Sequence, residues 1–499
     1  MNKSRRIFWV CSLLLVSMAV SATTPYERVR KANDWNVSEN IAGVRQDSLS
    51  VSYAELSGGY IGGDFRESYQ AKQSWNVAAS TASITHLQKM SLVGSFSFRQ
   101  TEHYDMCGSM FIQPGFFPVD VMEFTPGRKS LQEYAFDGGI AYDVNDTWRI
   151  GAQVDFISAN MAKRKDLRHT NWRLNLSAKP SVMYHKGDFA WGASYIFEKN
   201  SESVEAEQVG VSASSYYAFL NKGLYYGIYS VWGGSGLHLD EAGVNSFPVN
   251  ELLHGAALQM QYKGFFAQFA YRHKDGVVGE KDRVWFRYPA DRFDLMLAYQ
   301  QKGHFAHLDM GVERLRLFET ILESISANGV TTTTEYGQNR ILTQANYRIA
   351  PSYEYISSQW ELLAMAEYKI KEGLSSQIYP YLYHQTLSTW NVFVKGTGHV
   401  SAFDVELGLG AAGGNVVEDQ NVLEHNMTVL SKPYRHKEWY QWDMEYQTAL
   451  RLNAELSVRY NFWKGLYVEV NGACLYGLGL KQIKSPIRYE VGLKTGYNF

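Results

Sequence analysis

Between Trp442 and Phe462 the chain alternates for 21 residues. Trp442, Met444, Tyr446, Leu450, Leu452, Ala454, Leu456, Val458, Tyr460 and Phe462 stand on one parity, with only Thr448 breaking the apolar row. Asp443, Glu445, Gln447, Arg451, Asn453, Glu455, Ser457, Arg459 and Asn461 stand on the other. Side chains of a strand point alternately to its two faces, so this pattern predicts a strand with one face against an apolar medium and one against water. Strands of soluble domains average about 5–6 residues, whereas a tilted strand crossing a bilayer needs about 9–11. The length therefore favours a membrane strand.

The same zigzag recurs. Trp148, Ile150, Ala152, Val154 and Phe156 alternate with Arg149, Gln153 and Asp155, and Trp172, Leu174, Leu176, Ala178, Val182 and Tyr184 alternate with Arg173, Asn175, Ser177 and Lys179. Segments 189–197, 265–271, 293–299 and 360–368 follow suit. Aromatics sit at the ends of these rows and aliphatics between them, the order expected of girdles at two water interfaces around a lipid-facing band. Pro180 departs from the pattern, because a proline in a strand forfeits a ladder hydrogen bond.

Six Lys-Gly pairs punctuate the chain from residue 186 onward, at Lys186, Lys222, Lys263, Lys302, Lys395 and Lys464, and the first four are 36, 41 and 39 residues apart. A Gly in a short turn supplies the positive φ that a tight antiparallel connection needs, so each pair predicts a hairpin. Short turns near Gln88, Asn145, Pro351 and these six lysines alternate with longer connections, including 101–129, 233–246, 320–336 and 411–437. The fold expected is an all-β, single-chain transmembrane antiparallel β-barrel of about 20 strands, range about 18–22, its short turns periplasmic and its long connections extracellular. Its domain would run from residue 48 to residue 499.

Ahead of it, Lys3, Arg5 and Arg6 precede an apolar stretch ending at Val20-Ser21-Ala22, which reads as a signal peptide of residues 1–22. Residues 23–47 then form a short periplasmic segment. Aromatics make up 14% of the chain, more than a soluble domain needs, while 48 Lys plus Arg against 50 Asp plus Glu leave no basic surplus for nucleic acid. Cys107 and Cys474 alone follow the leader, too few for a disulfide framework, and whether they pair stays open.

A barrel this wide cannot be filled by its own inward side chains. The segment 103–127, with Phe111, Phe116 and Phe117, is too apolar for an exposed loop and is expected to fold inward as a constriction. Arg451, Glu455 and Arg459 are the pore-lining candidates on the long alternating run, joined by His307 and Asp309, whose parity opposes the apolar Ala306, Leu308 and Met310. His304, beside them, belongs to a turn. These groups suit a solvated wall better than a metal site, so neither metal nor cofactor is expected. No Ser-His-Asp set can be established by spacing, and no enzymatic activity is expected.

Ile487, Tyr489, Val491, Leu493, Thr495, Tyr497 and Phe499 alternate to the terminal residue. This strand resembles the C-terminal signal, here Tyr497 and Phe499, by which the outer-membrane assembly machinery of Gram-negative bacteria recognises its clients. Trp35 to Val44, ahead of Leu49, Val51 and Tyr53, is similar to the opening of long-chain fatty-acid-transporter-like barrels, with Ile41 where their Asn-Pro-Ala type motif has Pro. More broadly the chain resembles uncharacterised Gram-negative outer-membrane barrels of nutrient-uptake loci. That resemblance implies an outer-membrane location, contact with its lipid, and company with an energised receptor. The leading functional expectation is a passive channel or transporter for a small solute; the alternative is a non-conducting accessory or surface-binding barrel.

Overall fold

A computed structural model describes residues 25–209, 216–232, 246–280, 283–327, 330–376, 383–421 and 436–499. The expected leader and most of the connections 233–246 and 411–437 lie outside the described residues. The strands are β1 (Val51–Gly63), β2 (Gln73–His86), β3 (Met90–Ser109), β4 (Asp120–Asp143), β5 (Trp148–Lys163), β6 (Arg168–Lys186), β7 (Phe189–Glu207), β8 (Tyr216–Asn221), β9 (Gly227–Trp232) and β10 (Ser246–Tyr262). They continue as β11 (Phe265–Glu280), β12 (Arg283–Gln301), β13 (His304–Ala327), β14 (Val330–Ile356), β15 (Trp360–Ser375), β16 (Tyr383–Val400), β17 (Phe403–Asn421), β18 (Leu450–Trp463), β19 (Leu466–Leu478) and β20 (Ile487–Asn498).

Each strand of the wall pairs antiparallel with its neighbours, and the last pairs with the first, Tyr53 opposite Asn498 through Gly63 opposite Arg488. Of the 20 strands among the described residues, β8 and β9 leave the wall, since β7 pairs directly with β10, so 18 close the ring. That lies at the lower edge of the expected range, and the difference is the Lys222-Gly223 hairpin. It joins β8 to β9, and β8 pairs with Asp120–Glu123 of β4 instead of entering the ring.

Three Lys-Gly turns behave as their chemistry requires. Lys263, Lys302 and Lys464 all have positive φ, and Gly303 and Gly465 do too, the backbone that a two-residue hairpin turn demands. The turns expected near Gln88, Asn145 and Lys186 also fall in place, whereas three other expectations shift. Lys395 and Pro351 lie inside β16 and β14, whose turns follow at residues 401–402 and 357–359, and the expected loop 320–336 is mostly the paired ends of β13 and β14. Prolines are accommodated by ladder gaps. Pro180 pairs with Ala152 on β5, but the β6–β7 register skips from Ala178 to Ser181. Pro289 and Pro351 show the same one-sided gap toward β13 and β15. A proline has no N–H to donate, so one neighbour must do without.

The alternation has an inside-out result. Leu407, Leu409, Leu456, Val470, Val491 and Leu493 are exposed on the outer face, whereas Glu406, Ser457, Arg459, Glu469 and Lys494 are buried on the inner one. The largest departure from the sequence reading comes at the start of the 442–462 run. His436–Thr448 is an α-helix, and the strand begins only at Leu450. Trp439, Tyr440 and Tyr446 are buried at helical spacing, which overrides the period-two reading of residues 442–448.

Cys107 is buried and Cys474 exposed on the outer face, and both are free thiols. In a chain without Cys11, a lipid-soluble maleimide is expected to label Cys474 in the folded protein and Cys107 only after unfolding, as intact-mass measurement would show.

Candidate functional site

The interior is occupied from both ends. At the short-turn end, residues 25–46 form a helix (Pro25–Lys31) and two 3-10 turns (Asp34–Val37 and Ile41–Gln46) that cross the lumen. The side chains of Asn33 and Asn40 accept from the N–H groups of Trp35 and Ala42, which sets both turns. The segment expected to lie ahead of the barrel is therefore packed inside it.

Its anchors reach around the wall. Arg45 pairs with Asp143 on β4 and donates to the carbonyls of Leu87 and Gln88 in the β2–β3 turn. On the far side Arg28 meets Glu361 at 2.7 Å and Lys31 meets Glu354 at 2.8 Å. Glu39 sits between, 2.7 Å from Arg272 and 3.0 Å from Lys179, and Arg272 also holds Asp294 at 2.6 Å. Trp35 is fully buried, its ring edge-on to Phe266 and its Nε1 donating to Gln261. The Asn40 amide donates to the Val182 carbonyl.

Glycines on the wall make the room. A Cβ on Gly151 would lie 2.6 Å from Ile41 and one on Gly192 2.4 Å from the Asn40 amide, and Gly139 faces Ile41 in the same way. The wall is shaped to this segment.

The long-loop half is apolar inside. Phe111, Phe116 and Phe117, the expected constriction residues, are buried with Met110 and Val119 between β3 and β4, against inward Val204, Val249, Val278, Leu317 and Leu342. Phe116 and Phe117 meet edge to face at 4.7 Å, and Phe111 lies 5.2 Å from Phe117. Polar pins hold the loop: Asn171 donates to the Met110 carbonyl at 2.6 Å, and Glu202 accepts from the N–H of Ile112 at 2.7 Å. Beside it Lys163 pairs with Glu123 at 2.6 Å, both fully buried.

The pore-lining candidates take different surroundings. Arg459 is buried, held by Glu469 at 2.8 Å with its guanidinium 4.4 Å from the centre of the Tyr467 ring. Glu455 is buried on the same face, and Arg451 lies 5.0 Å from the ring of Tyr446 on the long-loop helix. His307 faces Asp34 of the N-terminal segment at 3.6 Å, with Asp309 two residues further along the same strand. His304 opens β13 and bonds Tyr353 on the outer face. Among the described residues no group of three or more His, Cys, Asp or Glu could hold a metal ion. Tyr497 and Phe499 pack edge to face, and the Phe499 N–H donates to Ser52 of the strand across the seam.

The long-loop helix covers the rim with a buried carboxyl pair. Asp443 accepts from the backbone and hydroxyl of Ser68, each at 2.7 Å, and from the Tyr225 hydroxyl. Glu67 accepts from Tyr69 at 2.6 Å, Gln70 at 2.8 Å and the Gln447 amide. Burial, with Asp443 beside it, pushes the Glu67 carboxyl up to about 8, and burial raises Asp443 as well.

With this geometry in place, comparison with known proteins adds the family. The model for a family of unknown function, DUF6850, matches residues 41–499. The chain belongs to this family. No curated protein matches it. Among solved structures it is similar to the FrpB iron transporter from Neisseria meningitidis, F3-3 variant (7% identity, 90% of this chain and 81% of that chain covered, TM-score 0.46). It is also similar to BauA, the ferric preacinetobactin receptor from Acinetobacter baumannii (8%, 90% and 80%, TM-score 0.41). A third likeness is to a loop L8 deletion mutant of OmpT, an outer membrane protein of Vibrio cholerae (12%, 91% and 100%, TM-score 0.33).

Sequence reasoning missed the N-terminal anchors and the helix. A usable signal existed for the first: Arg28, Lys31, Glu39 and Arg45 are dense charges in a segment whose buried Trp35, Ile41 and Val44 ask for a partner surface.

The Glu67 carboxyl predicts a pH response. Its folded value lies above the ordinary 4.5, so the stabilisation is complete below that value and is lost as pH rises through about 8. Hydrogen exchange of residues 436–448 is expected to accelerate between about pH 5 and about pH 8 beyond the intrinsic chemical rate, and Glu67→Gln is expected to remove the excess.

Proposed function

We propose that this chain sits in the outer membrane of a Gram-negative bacterium as a gated passive channel for a small polar solute, closed at rest. Residues 25–46 are its inner gate, and Tyr497 and Phe499 present its last strand to the assembly machinery. The observation that carries this reading is how the gate is held. Beside the apolar packing of Trp35, Ile41 and Val44, it is pinned to the wall by charged and amide groups at Arg28, Lys31, Glu39, Asn40 and Arg45, whose hydrogen bonds exchange for water at a net cost of about 0.5–1.5 kcal/mol each, or about 1.5–3 where a charge takes part.

The exposed outer band supports the location. A charge placed in it, as in Leu456→Arg, is expected to lower barrel stability in lipid vesicles by about 2–4 kcal/mol, read from equilibrium urea unfolding. Unchanged stability would count against lipid contact.

The apolar core of the long-loop half favours a second reading, an accessory barrel that conducts nothing and works beside an energised receptor. Planar-bilayer conductance separates the two. The intact protein is expected to be nearly silent, whereas deletion of residues 25–46, or Glu39→Ala combined with Arg45→Ala, is expected to produce stable conducting steps. Silence in all variants that still show the heat-modifiable mobility of a folded barrel would overturn the channel and leave the accessory reading.

A further inference from the structure

On β12, β13 and β14 the outward residues fall into cross-strand rows whose chemistry changes abruptly. Moving away from the short turns, the rows read Tyr299, Ala306, Tyr353; then Leu297, Leu308, Pro351; then Leu295, Met310, Ile349; then Phe293, Val312, Tyr347. Aromatics bracket aliphatics. From Tyr299 to Phe293 the band runs about 20 Å along the strand at roughly 3.3 Å per residue.

Beyond them Asp291, Arg314 and Ala345 form a row of balanced charge, and arginine then prevails: Arg316 stands opposite Thr343, and Arg287, Phe318 and Arg340 form a row. Arg287, Arg314, Arg316 and Arg340 lie within roughly 15 Å of one another, given strand spacings of about 4.8 Å. No side-chain ion pair or hydrogen bond joins any of them to a described residue, although the Arg316 charge acts on Asp291. The carboxylate in these rows, Asp291, already accepts from Tyr271 at 2.9 Å and His273 at 2.8 Å. Glu372 follows on β15, opposite Ala345. Beside Arg287 the wall is dented by a cavity of about 330 Å³, walled by Val277, Pro289 and Phe318 and edged by Asp275. Guanidinium groups next to a recess of mixed polarity, with Gln338 beside Val277 and Phe318, suit a ligand that carries phosphate next to sugar and hydrocarbon.

We propose that this arginine cluster binds the phosphate groups of the outer-leaflet glycolipid, with the recess taking the adjoining sugar or acyl portion. The assignment rests on the outer-membrane reading above and is independent of whether the lumen conducts. It explains why the arginines lie beyond the apolar band and face away from the lumen.

The test is native mass spectrometry of the full-length protein in mild detergent, titrated with diphosphoryl lipid A, its monophosphoryl form, and phosphatidylglycerol. Diphosphoryl lipid A is expected to bind most tightly, and Arg287→Gln, Arg314→Gln, Arg316→Gln and Arg340→Gln combined are expected to weaken it at least tenfold. The paired variant Arg314→Gln with Arg316→Gln, less disruptive to the wall, is expected to fall between. Heat-modifiable mobility identifies the variants that are folded. Equal binding by intact protein and folded variants would overturn the site, as would phosphatidylglycerol binding as well as diphosphoryl lipid A. Fractionation of the same cells separates the two failures: intact protein found outside the outer membrane sinks the location, whereas protein in that membrane with no arginine-dependent lipid binding sinks only the site.

Discussion

Everything in this structure follows from the closure of one ladder of backbone hydrogen bonds. A sheet with an open edge leaves a row of unpaired N–H and C=O groups, and in an apolar medium each such group costs several kcal/mol. Pairing β20 with β1 removes the edges and commits every wall residue to one of two sides. The oily parity goes out and the charged parity goes in, so a chain with hydrophobic content of 45% turns the usual distribution over.

That inversion creates the next demand. Charges on the inner face cannot rely on bulk water once other segments fill the space, and they are paired: Arg459 with Glu469, Arg272 with Glu39 and Asp294, Lys163 with Glu123. Buried pairs of this kind add little net stability and much specificity of position, because removing one partner strands the other. The two halves of the lumen answer differently. Near the short turns the filler sets charges such as Arg45 and Glu39 beside buried Trp35, Ile41 and Val44; near the long loops the wall itself turns apolar at Val249, Val278 and Leu317 and receives Phe111 and Phe117.

How much of this the sequence disclosed depends on how local the cause is. Strands and hairpins were legible because side-chain parity and the positive φ at Lys302, Gly303, Lys464 and Gly465 are properties of a few neighbouring residues. The inward loop was legible because Phe116 and Phe117 are too apolar to face water. The helix over the rim was not, because Trp442, Tyr446 and their neighbours satisfy both periods and only contact with Ser68 and Tyr225 decides between them. The Lys222-Gly223 hairpin carries a turn signal as good as the others, and nothing within it reports that β7 already has β10 as a neighbour. The site was legible only as a parity, since the partner of His307 lies more than 270 residues away at Asp34.

The glycine hollows at positions 139, 151 and 192 bear on how such a molecule is built. The cylinder is complete only when its final strand meets its first, yet the peptide immediately preceding that first strand already lies within the space the cylinder encloses. Its arrival therefore has two routes: to be in place while the seam stands open, or to enter afterwards through the end with the tight turns. Either way the earliest described part of the chain becomes the internal mould, and the hollows left by missing side chains record its outline in the surrounding staves.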